Sequence, residues 1–174
     1  MKKNLVLVSV LLAIVSAVTG CTVNNYATGA KSGAGSVSVE ENTQKLPSKI
    51  EIASYREKVL ALGFTESDLL DRYGSVTGEN YVDDATTYEE LVSLLPDVQA
   101  FIGELEAINP ANQELHAIHQ EFVDGWNFQA KGMTLVTAAL EEQDTSKIAE
   151  GNDALAKGRA LLRQFQLDFA ALGK

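Results

Sequence analysis

The chain has 174 residues, 45% of them hydrophobic, a single cysteine and a formal net charge of −10 at pH 7. That length supports one modest domain held by its own buried core, and a lone cysteine excludes an intrachain disulfide. The acidity repels phosphate backbones and anionic head groups, which weighs against nucleic acid as a partner.

Residues 1–20 follow the order of an export signal: Lys2 and Lys3, an apolar run from Leu5 to Val18, then small residues. The run is too short for a permanent span, which needs about 20 apolar residues. Val18, Thr19, Gly20 and Cys21 close it, and this segment resembles the lipobox of bacterial lipoproteins. The resemblance implies cleavage between Gly20 and Cys21, a diacylglyceryl group on the Cys21 sulfur and acylation of the new amino terminus. One acyl chain holds a protein at a bilayer only marginally, whereas two or three make the attachment durable. Loss of Lys2 and Lys3, with no acid among the first twenty residues, takes the charge from −10 to −12. Thr22 rather than an aspartate follows the anchor, and the lipoprotein resemblance then implies the outer membrane in a two-membrane envelope and the outer face of a single-membrane one.

Residues 21–46 are rich in Gly, Ser, Ala, Asn and Thr without a sustained apolar period. They read as a flexible linker with a reach of about 25 to 30 Å; the competing reading, a short strand at Ser36 to Val39, has no evident partner strand. The domain is expected in residues 47–174. Pro47 is expected to open a first helix with Ile52, Tyr55, Val59 and Leu62 on one face, and Gly63 to stop it. Thr65 then caps a short helix from Glu66 to Tyr73, ended by Gly74 and Gly78, before an irregular connection to Asp84.

Three longer helices follow. The first starts at Thr86 or Thr87, with Glu89 and Glu90 three residues on, and carries Tyr88, Leu91, Leu95, Val98, Ile102, Leu105 and Ile108. Pro96 inside it predicts a kink near Val92 to Leu95 or a break into two helices. The second is expected from Asn112 to Glu142 and the third from Thr145 or Ser146 to Leu172, joined by a tight turn at Gln143 and Asp144.

The third presents Ile148, Gly151, Leu155, Gly158, Leu162, Phe165, Phe169 and Leu172 at heptad spacing. The second answers with Leu115, Ile118, Phe122, Gly125, Gln129, Gly132, Val136 and Ala139. Antiparallel folding at the turn makes facing residue numbers add up to about 287. Gly132 then meets Leu155, Gly125 meets Leu162 and Gly151 meets Val136. A helical glycine costs about 1 kcal/mol relative to alanine, and close helix approach with a bulky partner in each notch offsets it.

Candidate sites are few. Glu114, His116, His119 and Glu121 gather at the start of the second long helix, and two imidazoles three residues apart invite a metal reading. Helical zinc motifs instead place histidines four apart around a glutamate, which leaves His119 as a core-edge residue and His116 as a solvated one. No Cys-x-x-Cys-His attaches a haem, and no serine or threonine sits in a nucleophile elbow. Asp83 and Asp84 are a calcium candidate, but acids ahead of a helix are favourable without any ion. Trp126 is expected to be buried between helices; Phe128 lies off the heptad line and should pack on another helix or mark an exposed partner surface. The reading is an all-α antiparallel bundle of three long helices with one or two short N-terminal helices, on a lipidated tether. It has no catalytic, cofactor or metal residues and carries Cys21 as its lipidation site. The glycine-spaced C-terminal hairpin resembles helical domains of small envelope lipoproteins, from which no activity carries over. Two functions fit: a non-enzymatic envelope module that binds a protein partner, or a ligand or metal carrier with an interhelical pocket near His116 and His119.

Overall fold

The computed structural model describes residues 46–172. The expected leader, the Gly20–Cys21 junction and the linker up to residue 45 lie outside the described residues. Every regular element within them is a helix: α1 (Lys49–Ala61), α2 (Gly63–Ser75), a single 3-10 turn (Gly78–Asn80), α3 (Asp84–Glu106), α4 (Gln113–Glu142) and α5 (Thr145–Ala171). None is long and apolar enough to cross a membrane.

Helix α1 starts at Lys49, two residues after Pro47, because Ser48 builds a reciprocal cap. Its backbone N–H donates to Glu51 Oε2 at 2.7 Å, and the Glu51 N–H donates to Ser48 Oγ at 3.3 Å. Gly63 does not stop the chain. Leu62 keeps right-handed helical angles (φ −86°, ψ −9°) and is shared by both helices, so α2 begins directly at Gly63 without a side-chain cap, two residues ahead of Thr65. Gly74 likewise lies inside α2. Past Ser75, the Thr77 hydroxyl donates to Tyr73 O and the Asn80 amide to Gly74 O, folding the connection over the helix end. Gly78 takes φ +62° there, in the region glycine enters at least cost.

The cap of α3 is Asp83, whose Oδ1 accepts from the Thr86 N–H at 2.7 Å. The expected caps have other positions: Thr86 is the donor, and Thr87 is buried with its hydroxyl on Val76 O. Helix α3 runs unbroken through Pro96. The carbonyl that Pro96 leaves without an N–H is that of Val92, and both residues are on the exposed side, where the carbonyl is open to water. The buried line is Thr87, Leu91, Leu94, Val98, Phe101 and Leu105 with Ile102; Leu94 and Phe101 replace Tyr88 and Leu95, half a step around from the expected stripe.

Asn112 Oδ1 accepts from the N–H groups of Glu114 and Leu115 and starts α4. Gln143 ends it in the left-handed region (φ 56°, ψ 36°), and Asp144 Oδ1 caps α5 through the Ser146 N–H. The two-residue turn sets the register that the heptads predict. A methyl placed on Gly132 would lie 2.9 Å from Gly151 O and against Leu155 Cγ; one on Gly125 would meet Leu162 Cδ2 at 2.7 Å; one on Gly151 would meet Val136 Cγ2 at 2.9 Å. Gly158 completes the series against Gln129, whose buried amide donates to Leu155 O at 3.2 Å.

Helix α4 carries a second buried stripe of His119, Val123, Trp126, Ala130, Met133 and Thr137. It turns that stripe to α3, where Phe101 meets Trp126 ring to ring at 4.9 Å; on the other face Phe122 stacks on Phe165 of α5 at 4.1 Å. Arg72 clasps α2 to α3 from outside through Glu90, Ser93 and Asp97.

Candidate functional site

The residues at the start of α4 separate because a helix advances about 100° per residue. Glu114, Ala117, Ile118 and Glu121 face a cleft of about 600 Å³ between α4, the entry to α1 and the last turn of α5. Its apolar lining includes Pro47, Ile52 and Leu172, and Asp168 of α5 adds a third carboxylate. No Lys or Arg lines it among the described residues.

The three acids differ in their surroundings. Glu114 lies in the first turn of α4, where the positive end of the helix dipole favours it. Asp168 Oδ2 accepts from the Gln164 amide at 2.8 Å. Glu121 instead meets the Asp168 carboxyl, which it can hydrogen-bond only by sharing a proton, and its buried Oε2 has no other partner. Burial and the adjoining Asp168 carboxyl both push Glu121 above the usual carboxylate range. The neighbouring cation, Arg56 on α1, is committed elsewhere. Its Nη2 donates to Phe169 O (3.1 Å) and Leu172 O (2.8 Å), and its guanidinium lies 5.5 Å from the centre of the Phe169 ring. Arg56 thus satisfies the open carbonyls at the end of α5.

His119 points away from the cleft into the core, 3% exposed, whereas His116 is in solvent. His119 Nε2 lies 2.9 Å from Leu105 O, and a carbonyl can only accept, so the ring proton is on Nε2. Nδ1 then accepts from the Tyr55 hydroxyl at 3.2 Å. Burial holds the imidazole below its ordinary pKa and pushes the Tyr55 phenol up. With both nitrogens engaged, His119 serves the last turn of α3 and anchors α1. No group of three His, Cys, Asp or Glu among the described residues is placed to hold a metal ion.

The other candidates also have local partners. Asp83 caps α3, which lowers its pKa, and Asp84 accepts the Tyr81 hydroxyl at 2.6 Å. Trp126 is fully buried, and its Nε1 donates to Glu66 Oε1 at 3.3 Å, tying α4 to α2. Phe128 is half-buried. Gly20 and Cys21 lie outside the described residues. No family model, curated protein or solved structure matches the chain.

Sequence reasoning singled out Glu114 and Glu121 but missed Asp168 and Ile52. The pairing of α4 with α5 held the signal for Asp168: numbers adding to about 287 place it opposite His119, a half-turn from Glu121. Two acids meeting across a helix seam oppose stability unless a proton or a cation joins them.

Proposed function

We propose that this protein is a bacterial envelope lipoprotein, anchored through acyl chains on Cys21, whose helices form an antiparallel bundle of three long and two short members that acts as a non-enzymatic binding module. The bundle stands off the membrane on residues 21–46, at the outer membrane or at the extracytoplasmic face of the cell membrane, with an envelope protein as partner. The observation that carries the reading is the order of residues 1–21: basic start, apolar run of about fourteen residues from Leu5 to Val18, then Val18-Thr19-Gly20-Cys21. The packing of the domain supports the non-enzymatic part, since buried His119 and Tyr55 and half-buried Arg56 are engaged in holding helix ends.

Mass spectrometry of the product from its native host tests the anchor. The expected mature chain begins at Cys21 with a diacylglyceryl thioether, and Cys21→Ser moves the protein from the membrane fraction to the precursor or soluble pool. An unmodified Cys21 thiol, or a leader retained in mature material, overturns the reading.

The second reading, a ligand carrier with an interhelical pocket near His116 and His119, is favoured by the cleft that Glu114 and Glu121 line on the same helix. Its metal form requires His119 to release Leu105 O or the Tyr55 hydroxyl. Metal content of the purified protein tests that form: a stoichiometric ion lost on His119→Ala supports it, and metal-free protein sinks it.

A further inference from the structure

We propose that the cleft between α1, α4 and α5 receives a small organic cation, an alkylammonium whose charge is held by Glu121 and Asp168 and whose apolar body lies on Ile52, Ile118 and Leu172. The proposal deepens the binding reading above and rests on it. Size is the first support: about 600 Å³ falls within the roughly 300 to 1,000 Å³ of small-molecule sites.

Charge complementarity is the second. Among the described residues every charged group lining the cleft is an acid, and Arg56 is held by the α5 carbonyls. Glu114 is balanced by the start of its own helix, which leaves Glu121 and Asp168 as the pair without a positive partner among the described residues. Glu121 Oε2, buried and without a donor, is the atom an ammonium N–H would satisfy. Glu121 also resists ionisation, through burial first and the Asp168 carboxyl second, and an ammonium between the two would relieve that repulsion.

The third support is what the acids do not do. They are not grouped to hold a metal ion, so a bare divalent cation has no converging ligand set. The lining beside the carboxyl pair is aliphatic, which suits a cation that carries hydrocarbon.

The test titrates n-hexylamine, n-butylamine and n-hexanol into the natively processed full chain in phosphatidylcholine nanodiscs, with empty discs as reference. Calorimetry measures affinity, and methyl NMR reports Ile52, Ile118 and Leu172. Hexylammonium is expected to bind one per chain and shift these methyls. Butylammonium should bind at least about tenfold more weakly, at roughly fourfold per buried methylene. Hexanol, and Glu121→Gln with hexylammonium, should each lose about tenfold or more, the value of a charge-assisted hydrogen bond. If Glu121→Gln does not fold, Asp168→Asn takes its place. Hexanol binding as tightly as hexylammonium, or undiminished binding to the variant, overturns the charge assignment and leaves a binding cleft standing. No response to any probe overturns the cleft as a ligand site altogether.

Discussion

His119 shows how a residue that reads as a ligand from sequence is explained by the helix ends around it. It donates to Leu105 O in the last turn of α3 and accepts from Tyr55 on α1, so one side chain joins three helices. His119→Leu keeps the volume but strands both partners, and each buried group left unpaired costs about 1 to 3 kcal/mol. Tyr55→Phe strands only His119 Nδ1 and should cost about 1 to 3 kcal/mol, less than His119→Leu; urea unfolding that ranked the two the other way would refute this. The pH dependence has a definite sign. Burial lowers the folded pKa of His119, so below pH 6.5 the unfolded chain binds the proton first and stability falls. Glu66 and Glu121 are raised, so their contribution is present at acidic pH and lost as pH rises past the ordinary carboxylate range. Glu66→Gln, which keeps an acceptor for Trp126 while removing the buried charge, should therefore melt at or above the wild-type temperature at pH 7, and Glu66→Ala below it. At this scale the burial of His119 and Trp126 was legible from their places beside the apolar line of α4. Arg56 was not legible, because its carbonyl partners are 113 and 116 residues away and nothing local in α1 announces them.

Helix α4 and helix α5 meet through glycine, and the contact is tight enough to be tested by single atoms. Gly132→Ala places a methyl 2.9 Å from Gly151 O, on backbone that cannot move aside. It should destabilise despite the better helix propensity of alanine, and Gly132→Leu more so, by about 1 to 3 kcal/mol as overpacking does; an unchanged or raised melting temperature would refute the pairing. The turn offers the opposite test. Gln143 sits at positive φ without being glycine, a conformation that costs an ordinary residue roughly 1 to 2 kcal/mol. Gln143→Gly should thus stabilise by up to about 1 kcal/mol, once glycine's own chain entropy is counted. The α4–α5 register was readable in advance because small residues in one heptad face large ones in the other. Helix starts were less so. Asp83 and Thr86 are both good cap types, and the winner is decided by Thr87, which is withdrawn into the core to satisfy Val76 O. Gly63 misleads for a related reason: glycine permits a helix end but does not impose one, and Leu62 stays in the right-handed region. The outcome at Pro96 depended on which way Val92 faces, and that depended on the partner helices.

Charge and connectivity govern the whole molecule. From Tyr73 to Ala130 the chain has no Lys or Arg, so α3 and the first half of α4 offer water only acids and neutral groups; the cations that touch this face come from outside it, as Arg72 does to Glu90 and Asp97. The cleft was half-legible from the same pattern: the α4 acids could be read directly, but Asp168 becomes part of a site only after α4 and α5 are laid side by side. Removing one charge of that pair by Glu121→Gln should raise the melting temperature at neutral pH, where like charges meet in a partly dry place. Of the long helices, α4 alone packs against another long helix on each flank, α3 on one and α5 on the other. A nascent chain that stops short of α5 holds a helix with one bare, glycine-scored flank. The bundle can close on that flank only once the last rod has been made, and on the envelope reading proposed above the thread an export channel would receive is one not yet closed.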